Sequence, residues 1–374
     1  MTANTLPDDI FREIFSFYLS SYRSPFNRHG YWLPIEHITA WQRLVQVCQR
    51  WRRIIYGSSC YLDLHLNYSY PFSGDRRAFR ENLCRWPEFP IIVDEVIDPT
   101  QDSDNIIAAL RHTDRVHRVH LQIESSRSRV REVFEMMEVP FPALTYLDLI
   151  GPPSFKQVVF DLPDQFLGGS APCLQHLRFT EISFPALPKL LLSARGLVTL
   201  ELEQPPARCY AYVSPEAIVG GLAGLTKLRT LCIKFPFSIP LDWRKRPENR
   251  RHAEPPMHAV LPALTELAFR GESEYLEDLM AQIDTPRLED IEIEYVRPEI
   301  ETRQLYQFLG RTSNLHFNQF KRAQVIYDEY YATVKLDRPQ GESHQVRFFL
   351  PVIISWMARI LDRLVAVLSN VDHL

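Results

Sequence analysis

Phe141–Pro142–Ala143–Leu144–Thr145–Tyr146–Leu147–Asp148–Leu149 decides how the rest of this chain reads. Leu147 and Leu149 alternate with polar neighbours, as a strand with one buried face requires, and Leu144 stands three residues ahead of them. The same apolar-x-x-apolar-x-apolar hexad recurs at Val116/Val119/Leu121, Leu174/Leu177/Phe179, Leu197/Leu200/Leu202, Leu228/Leu231/Ile233, Leu264/Leu267/Phe269 and Leu288/Ile291/Ile293. The middle apolar residues of successive copies lie 28, 30, 23, 31, 36 and 24 residues apart, an uneven period that fits one structural unit carrying insertions of different length. Between hexads the spacing turns helical: Val130, Val133, Phe134 and Met137; Ile218, Leu222 and Leu225 after Ser214–Pro215–Glu216; Leu276, Leu279, Met280 and Ile283 before Pro286. A unit this small cannot bury its apolar face alone, so the copies must stack, with a curved parallel sheet on one side and helices on the convex flank. The chain is therefore expected to be α/β. A doubly wound α/β domain calls for long Val/Ile-rich strands and Gly-rich phosphate turns, and the sequence has neither.

Upstream of the hexads the pattern is helical. In Leu6–Pro7–Asp8–Asp9–Ile10–Phe11–Arg12–Glu13–Ile14–Phe15, Pro7 suits the first helical position and the two aspartates complement the positive end of the helix dipole. Ile10, Phe11, Ile14 and Phe15 make one apolar stripe. A second helix is predicted over Trp41–Arg52 and beyond, with Trp41, Leu44, Cys48, Trp51 and Ile55 on one side and Gln and Arg residues on the other. Read from spacing alone, these helices cover the end of the next domain.

The spelling Leu-Pro-x-x-Ile-x-x-x-Ile-Phe, followed by Leu-x-x-Val-Cys-x-x-Trp-Arg, resembles an F-box, the module by which substrate receptors dock on the Skp-type adaptor of cullin–RING (SCF) ubiquitin ligases. Phrases such as Phe141–Thr145 and Leu261–Pro262–Ala263–Leu264–Thr265 are similar to the degenerate leucine-rich repeats of fungal F-box proteins. The resemblance implies an all-helical F-box over 1–60 with a long internal loop at 20–40, then a leucine-rich-repeat solenoid over 61–343. Its adaptor-facing residues would be Leu6, Pro7, Ile10, Ile14, Leu44, Val47, Cys48 and Trp51. Ser20–Ala40, with Pro25, Gly30 and Pro34, is longer than the usual F-box connection. The implied function is that of a non-catalytic substrate-recognition subunit of an SCF-type ligase, meeting cullin and RING subunits through the adaptor and a protein substrate through the repeats.

Composition narrows the rest. A chain of 374 residues with 45% hydrophobic residues exceeds one ordinary core, which leaves two domains or an elongated array. Net charge is −4, so no global electrostatic attraction to nucleic acid is expected. The six cysteines are scattered, no secretory signal pattern opens the chain, and reduced thiols in the cytoplasm or nucleus are expected. Nucleotide, hydrolase and zinc-protease motifs are absent from the sequence, and neither cofactor nor metal is expected. His112, His117 and His120 have metal-like spacing, but a three-residue step in a strand turns His117 and His120 to opposite faces. Arg244, Lys245, Arg246, Arg250 and Arg251 form a basic loop, the best support for a rival RNA-binding reading; a repeat scaffold outside any ligase is the other rival.

Past the hexads, Leu305, Phe308 and Leu309 predict a helix and Arg322–Leu336 two strands around Asp328–Glu329. The segment 344–374 is read as one apolar helix capping the array, with Trp356, Ile360, Leu364 and Val367 on a face; its charges make stable membrane insertion unexpected. Strand alternation turns the residue between the last two apolar positions of each hexad to the concave side, giving Asp148, Arg178, Glu201, Cys232, Ala268 and Glu292. With the flanking Tyr146, Lys234, Glu266, Arg270, Asp290 and Glu294, these are the expected substrate-facing residues. Glu266, Asp290, Glu292 and Glu294 would make an acidic end suited to a basic segment.

Overall fold

A computed structural model of the chain describes residues 6–20, 40–56, 64–67, 80–81, 83–84, 89–97, 103–124, 127–152, 160–183, 185–203, 213–236, 258–296, 302–315, 322–327, 331–337 and 345–351. Three helices come first: α1 (Asp8–Ser20), α2 (Ala40–Val47) and α3 (Gln49–Tyr56). The strands follow as β1 (Leu64–Asn67), β2 (Ile91–Ile97), β3 (Val116–Ile123), β4 (Tyr146–Ile150), β5 (His176–Thr180), β6 (Thr199–Glu203), β7 (Thr230–Lys234), β8 (Ala259–Val260), β9 (Glu266–Gly271), β10 (Ile283–Asp284), β11 (Asp290–Tyr295), β12 (Arg322–Tyr327), β13 (Tyr331–Asp337) and β14 (Gln345–Pro351).

One 12-stranded sheet runs β1-β2-β3-β4-β5-β6-β7-β9-β11-β14-β13-β12, and every pairing from β1 to β14 is parallel. Helices return the chain between strands, including Asp104–Leu110, Arg127–Met136, Leu187–Leu191, Pro215–Leu222, Ser273–Gln282 and Arg303–Arg311. The molecule is thus an α/β chain with a large parallel sheet and flanking helices.

The hexads have a common cause. In six of the seven the first apolar residue closes a tight turn: Leu144 N–H donates to Phe141 O, Leu174 to Ala171, Leu197 to Ala194, Leu228 to Leu225, Leu264 to Leu261 and Leu288 to Thr285, whereas Val116 donates to His112 O. The next residue already joins the ladder, with Thr145 N–H donating to His117 O, Gln175 to Thr145, Val198 to Gln175, Arg229 to Val198, Thr265 to Arg229 and Glu289 to Thr265. The second and third apolar positions then point inward onto the helices. Every hexad residue is buried except Leu202, which is half-buried. Each fully buried leucine contributes about 2 to 3 kcal/mol through apolar area removed from water.

Three expectations need correction. The helix predicted over Trp41–Ile55 is two helices, because the chain breaks at Cys48, whose Sγ accepts the Trp51 N–H at 3.5 Å as a cap for α3. The segment 344–374 does not begin as a helix: Gln345–Pro351 is β14, paired parallel to β11, so the sheet continues past 343. Val346 and Phe348 are buried and Arg347 faces the other way, a period of two hidden inside an apolar run. The expectation of two strands within Arg322–Leu336 holds: they are β12 and β13, antiparallel to each other, and β13 runs antiparallel to β14. Strict alternation also fails at the start of β3, where a register shift pairs Ile91 with Val116 but Ile92 with Arg118 and leaves His117 as a bulge. Ser21–Thr39, the basic loop Arg244–Arg251 and the stretch holding Trp356, Ile360, Leu364 and Val367 lie outside the described residues.

Candidate functional site

Two surfaces collect the residues singled out from the sequence. In the helical unit, Phe11 and Phe15 turn inward against Trp51, with ring centroids 5.6 and 4.8 Å away. Arg50 ties α3 to the start of α1: its guanidinium reaches Leu6 O and Asp8 and lies 4.9 Å over the Phe11 ring. The stripe read as one face is therefore two rows, since a step of 100° per residue separates Phe11/Phe15 from Ile10/Ile14. Ile10 is 40% exposed, Ile14 45% and Val47 59%. Phe17, at the next turn of the Ile10/Ile14 row, is 82% exposed, and the sequence reading missed it although i+4 then i+3 spacing marks it. Pro7 and Cys48 are exposed as well, Leu6 and Trp51 are partly buried, and Leu44 is buried. The eight expected residues thus divide between a surface and the core that supports it.

The open face of the sheet carries the second set. Register brings His120, Asp148, Arg178, Glu201, Cys232, Ala268, Glu292 and Arg347 into one row across neighbouring strands. Tyr146 and His176 stand in the row before it, and Thr180, Glu203, Lys234, Arg270 and Glu294 in the row after. Their charges are cross-paired. Arg178 reaches Glu203 at 3.1 Å and Glu201 at 3.3 Å, and Lys234 reaches Glu203 at 3.6 Å. Each such half-exposed pair is worth about 0 to 1 kcal/mol.

The acidic end expected near β9 and β11 is not an open carboxylate patch. Arg347, supplied by the unforeseen strand β14, pairs with Glu292 at 3.1 Å, and Arg270 lies 3.8 Å from Glu294. Glu266 accepts from the Thr230 hydroxyl at 3.4 Å. Asp290 takes its place in register beside Glu266.

The opposite end is built differently. Asp148 is 1% exposed; its Oδ2 lies 2.9 Å from His120 Nδ1 and 3.5 Å from the Tyr146 hydroxyl. Arg118 lies 4.6 Å over the Tyr146 ring, and the His176 ring centroid is 5.8 Å from that of Tyr146. Burial, reinforced by Arg118, lowers the His176 pKa, so its imidazole is neutral at neutral pH. Burial and then Asp148 push the Tyr146 phenol up, keeping it a hydrogen-bond donor. Burial works against the Arg178 charge, but Asp148, Glu203 and Glu201 outweigh it and raise its pKa. Burial raises the Glu201 carboxyl despite Arg178 beside it. Cys232 is buried and its thiol is pushed up to about 12, which makes it a poor nucleophile. Three buried polar atoms here have no hydrogen-bond partner: Asp148 Oδ1, Arg178 Nε and Thr180 Oγ1. Each costs about 1 to 3 kcal/mol unless a partner arrives.

Among the described residues no group of three or more His, Cys, Asp or Glu could hold a metal ion. An apolar recess of about 50 Å³ between Phe179, Leu202, Ile233 and Tyr275 holds at most a few atoms. No helix among the described residues is long and apolar enough to cross a membrane. The chain matches no protein-family model and no curated protein.

Proposed function

We propose that this chain is a non-catalytic substrate receptor of an SCF-type cullin–RING ubiquitin ligase, in which α1–α3 act as an F-box for a Skp-type adaptor and the stacked units act as leucine-rich repeats that hold a protein substrate. The observation that carries the reading is Ile10 and Ile14 with Val47, exposed apolar side chains on helices whose inner rows are filled by Phe11, Phe15 and Trp51. A partner of apolar surface is what such exposed residues suit, and the resemblance of the Leu-Pro…Val-Cys…Trp-Arg spelling to an F-box supports a Skp-type adaptor as that partner. The cullin and RING subunits would join through the adaptor, in the cytoplasm or nucleus. Catalysis would come from proximity: holding a substrate lysine near the charged conjugating enzyme raises its effective concentration, which needs rigid spacing rather than acid–base groups. A long parallel ladder with paired polar residues along its open face suits that spacing role.

Ile10→Asp tests the reading. A carboxylate placed in an apolar contact costs several kcal/mol, whereas the free chain tolerates it because Ile10 is already exposed. The wild-type chain should capture purified Skp-type adaptor and the variant should not, with both melting alike. Equal capture by both, or by neither, would leave a repeat scaffold that joins no ligase.

A further inference from the structure

We propose that the first row of the open face, from β3 to β9, reads an extended protein segment laid across the strands, with an acidic residue over β3, apolar residues over β4 and β5 and a basic residue over β9. This rests on the reading of the chain as a substrate receptor and names the order of side chains the receptor takes. Register aligns Arg118, Tyr146, His176, Thr199, Thr230 and Glu266 on neighbouring strands. None of them is buried and Glu266 is exposed, whereas the next row along the strands holds the buried His120, Asp148 and Cys232. The first row therefore meets solvent where much of the second is sealed. Backbone groups between these strands are already committed to the ladder, so a partner on this face is read by side chains.

The row changes sign along its length. Arg118 holds its guanidinium 4.6 Å over the Tyr146 ring, a contact that keeps the charge. Tyr146 and His176 follow with ring centroids 5.8 Å apart, and burial with Arg118 nearby keeps the imidazole neutral at neutral pH. Beyond the two threonines, Glu266 accepts from the Thr230 hydroxyl at 3.4 Å, a neutral donor that leaves the carboxylate its charge. Asp290 stands beside Glu266 in register on β11. A nucleic acid or a polybasic segment would meet a like charge at one end of this row, whereas a segment running from acid through apolar side chains to base meets a complementary group at every step. Tyrosine and arginine are also the residue types that most often anchor a protein partner. Five strand steps of about 4.8 Å separate Arg118 from Glu266, a span that an extended chain covers in about seven residues.

The test uses random dodecapeptides displayed on phage and selected on the full-length chain, then again on Arg118→Glu and on Glu266→Lys. Neither residue is buried, and melting curves check that both variants fold. Peptides selected on the wild type should carry one acidic and one basic residue about seven positions apart, with apolar residues nearer the acidic one. Arg118→Glu should exchange the acidic residue for a basic one, and Glu266→Lys should exchange the basic residue for an acidic one. Replacing either charged residue of a selected peptide by Gln should weaken binding about threefold, an effect that salt at about 1 M removes. Replacing the apolar residues by Ser should weaken it about tenfold or more. The absence of any binder, binders carrying charges of one sign, or charges that do not follow the two exchanges would each overturn the proposal. If one variant fails to fold, the exchange at the other decides. Adaptor capture is read separately through Ile10→Asp. A chain that captures adaptor but selects no such peptide loses only this row; one that selects the peptide without adaptor keeps the row and loses the ligase.

Discussion

Leu200 in β6 and Phe17 in α1 are both large apolar side chains on amphipathic elements, yet Leu200 is wholly buried and Phe17 is mostly in water. The parallel sheet closes its own account: each hexad faces helices inward, and its polar residues pair with those on neighbouring strands. The helical unit covers one row of α1 with Phe11, Phe15 and Trp51 and leaves Ile10 and Ile14 of the adjacent row exposed. A stacked array satisfies itself along its length, and only surfaces outside the stacking direction are left for others. The difference places exposed apolar side chains in α1–α3, whereas buried polar atoms without a hydrogen bond are scattered along the array, from Asp148 in β4 and Arg178 in β5 to Tyr295 in β11 and Arg347 in β14.

The comparison breaks most visibly at Leu200. Leu200→Asp puts a carboxylate without a partner into the sealed side of β6, at a cost of several kcal/mol, comparable with the whole stability of an ordinary domain. The variant should lose its cooperative thermal transition by circular dichroism. A cooperative melt within a few degrees of wild type would mean that the inner face is not a shared core.

Trp51→Ala should have a smaller and more local effect. Removing the ring that Phe11 and Phe15 pack against costs about 3 kcal/mol, and the loss falls on the helical unit. Amide exchange should speed up through α1, α2 and α3 while β4 to β9 keep their protection. Equal loss in the sheet would show that the two regions unfold as one, and would weaken the contrast drawn between them.

What the sequence disclosed follows the strength of its periods. The hexads were legible because a buried strand flanked by a fixed turn repeats its apolar positions whatever the insertions between copies, so the strand rows could be written down to the residue. β14 was not legible: Val346–Arg347–Phe348 alternates for only three residues before Phe349 and Leu350 blur the period, and so short an apolar stretch cannot be told from a helix by period. That miss carried a second one, since Arg347 was then absent from the open face and Glu292 looked unpaired. The split of α1 into two rows escaped because Ile10, Phe11, Ile14 and Phe15 are all apolar, and only packing against Trp51 shows which row turns inward. The bulge at His117 and the cap formed by Cys48 are backbone events with little signature in residue type.

The smallest expected effect is at Phe17, and it is the sharpest test of the exposed row. Phe17 is 82% exposed, so Phe17→Ser gives up little buried area in the free chain. Serine and phenylalanine have similar helix propensities, so α1 itself should be indifferent to the change. The free chain should therefore keep its stability within about 0.5 kcal/mol, the range of ordinary surface substitutions. Light scattering should show less self-association, because the contiguous apolar row is interrupted. On the proposed docking of α1 to an adaptor, affinity should fall, because that docking would bury the side chain further. If Phe17→Ser melts several degrees lower, the ring is already covered in the free chain and the row is part of a core. If stability and adaptor affinity are both unchanged, docking runs through Ile10, Ile14 and Val47 without the last turn of α1.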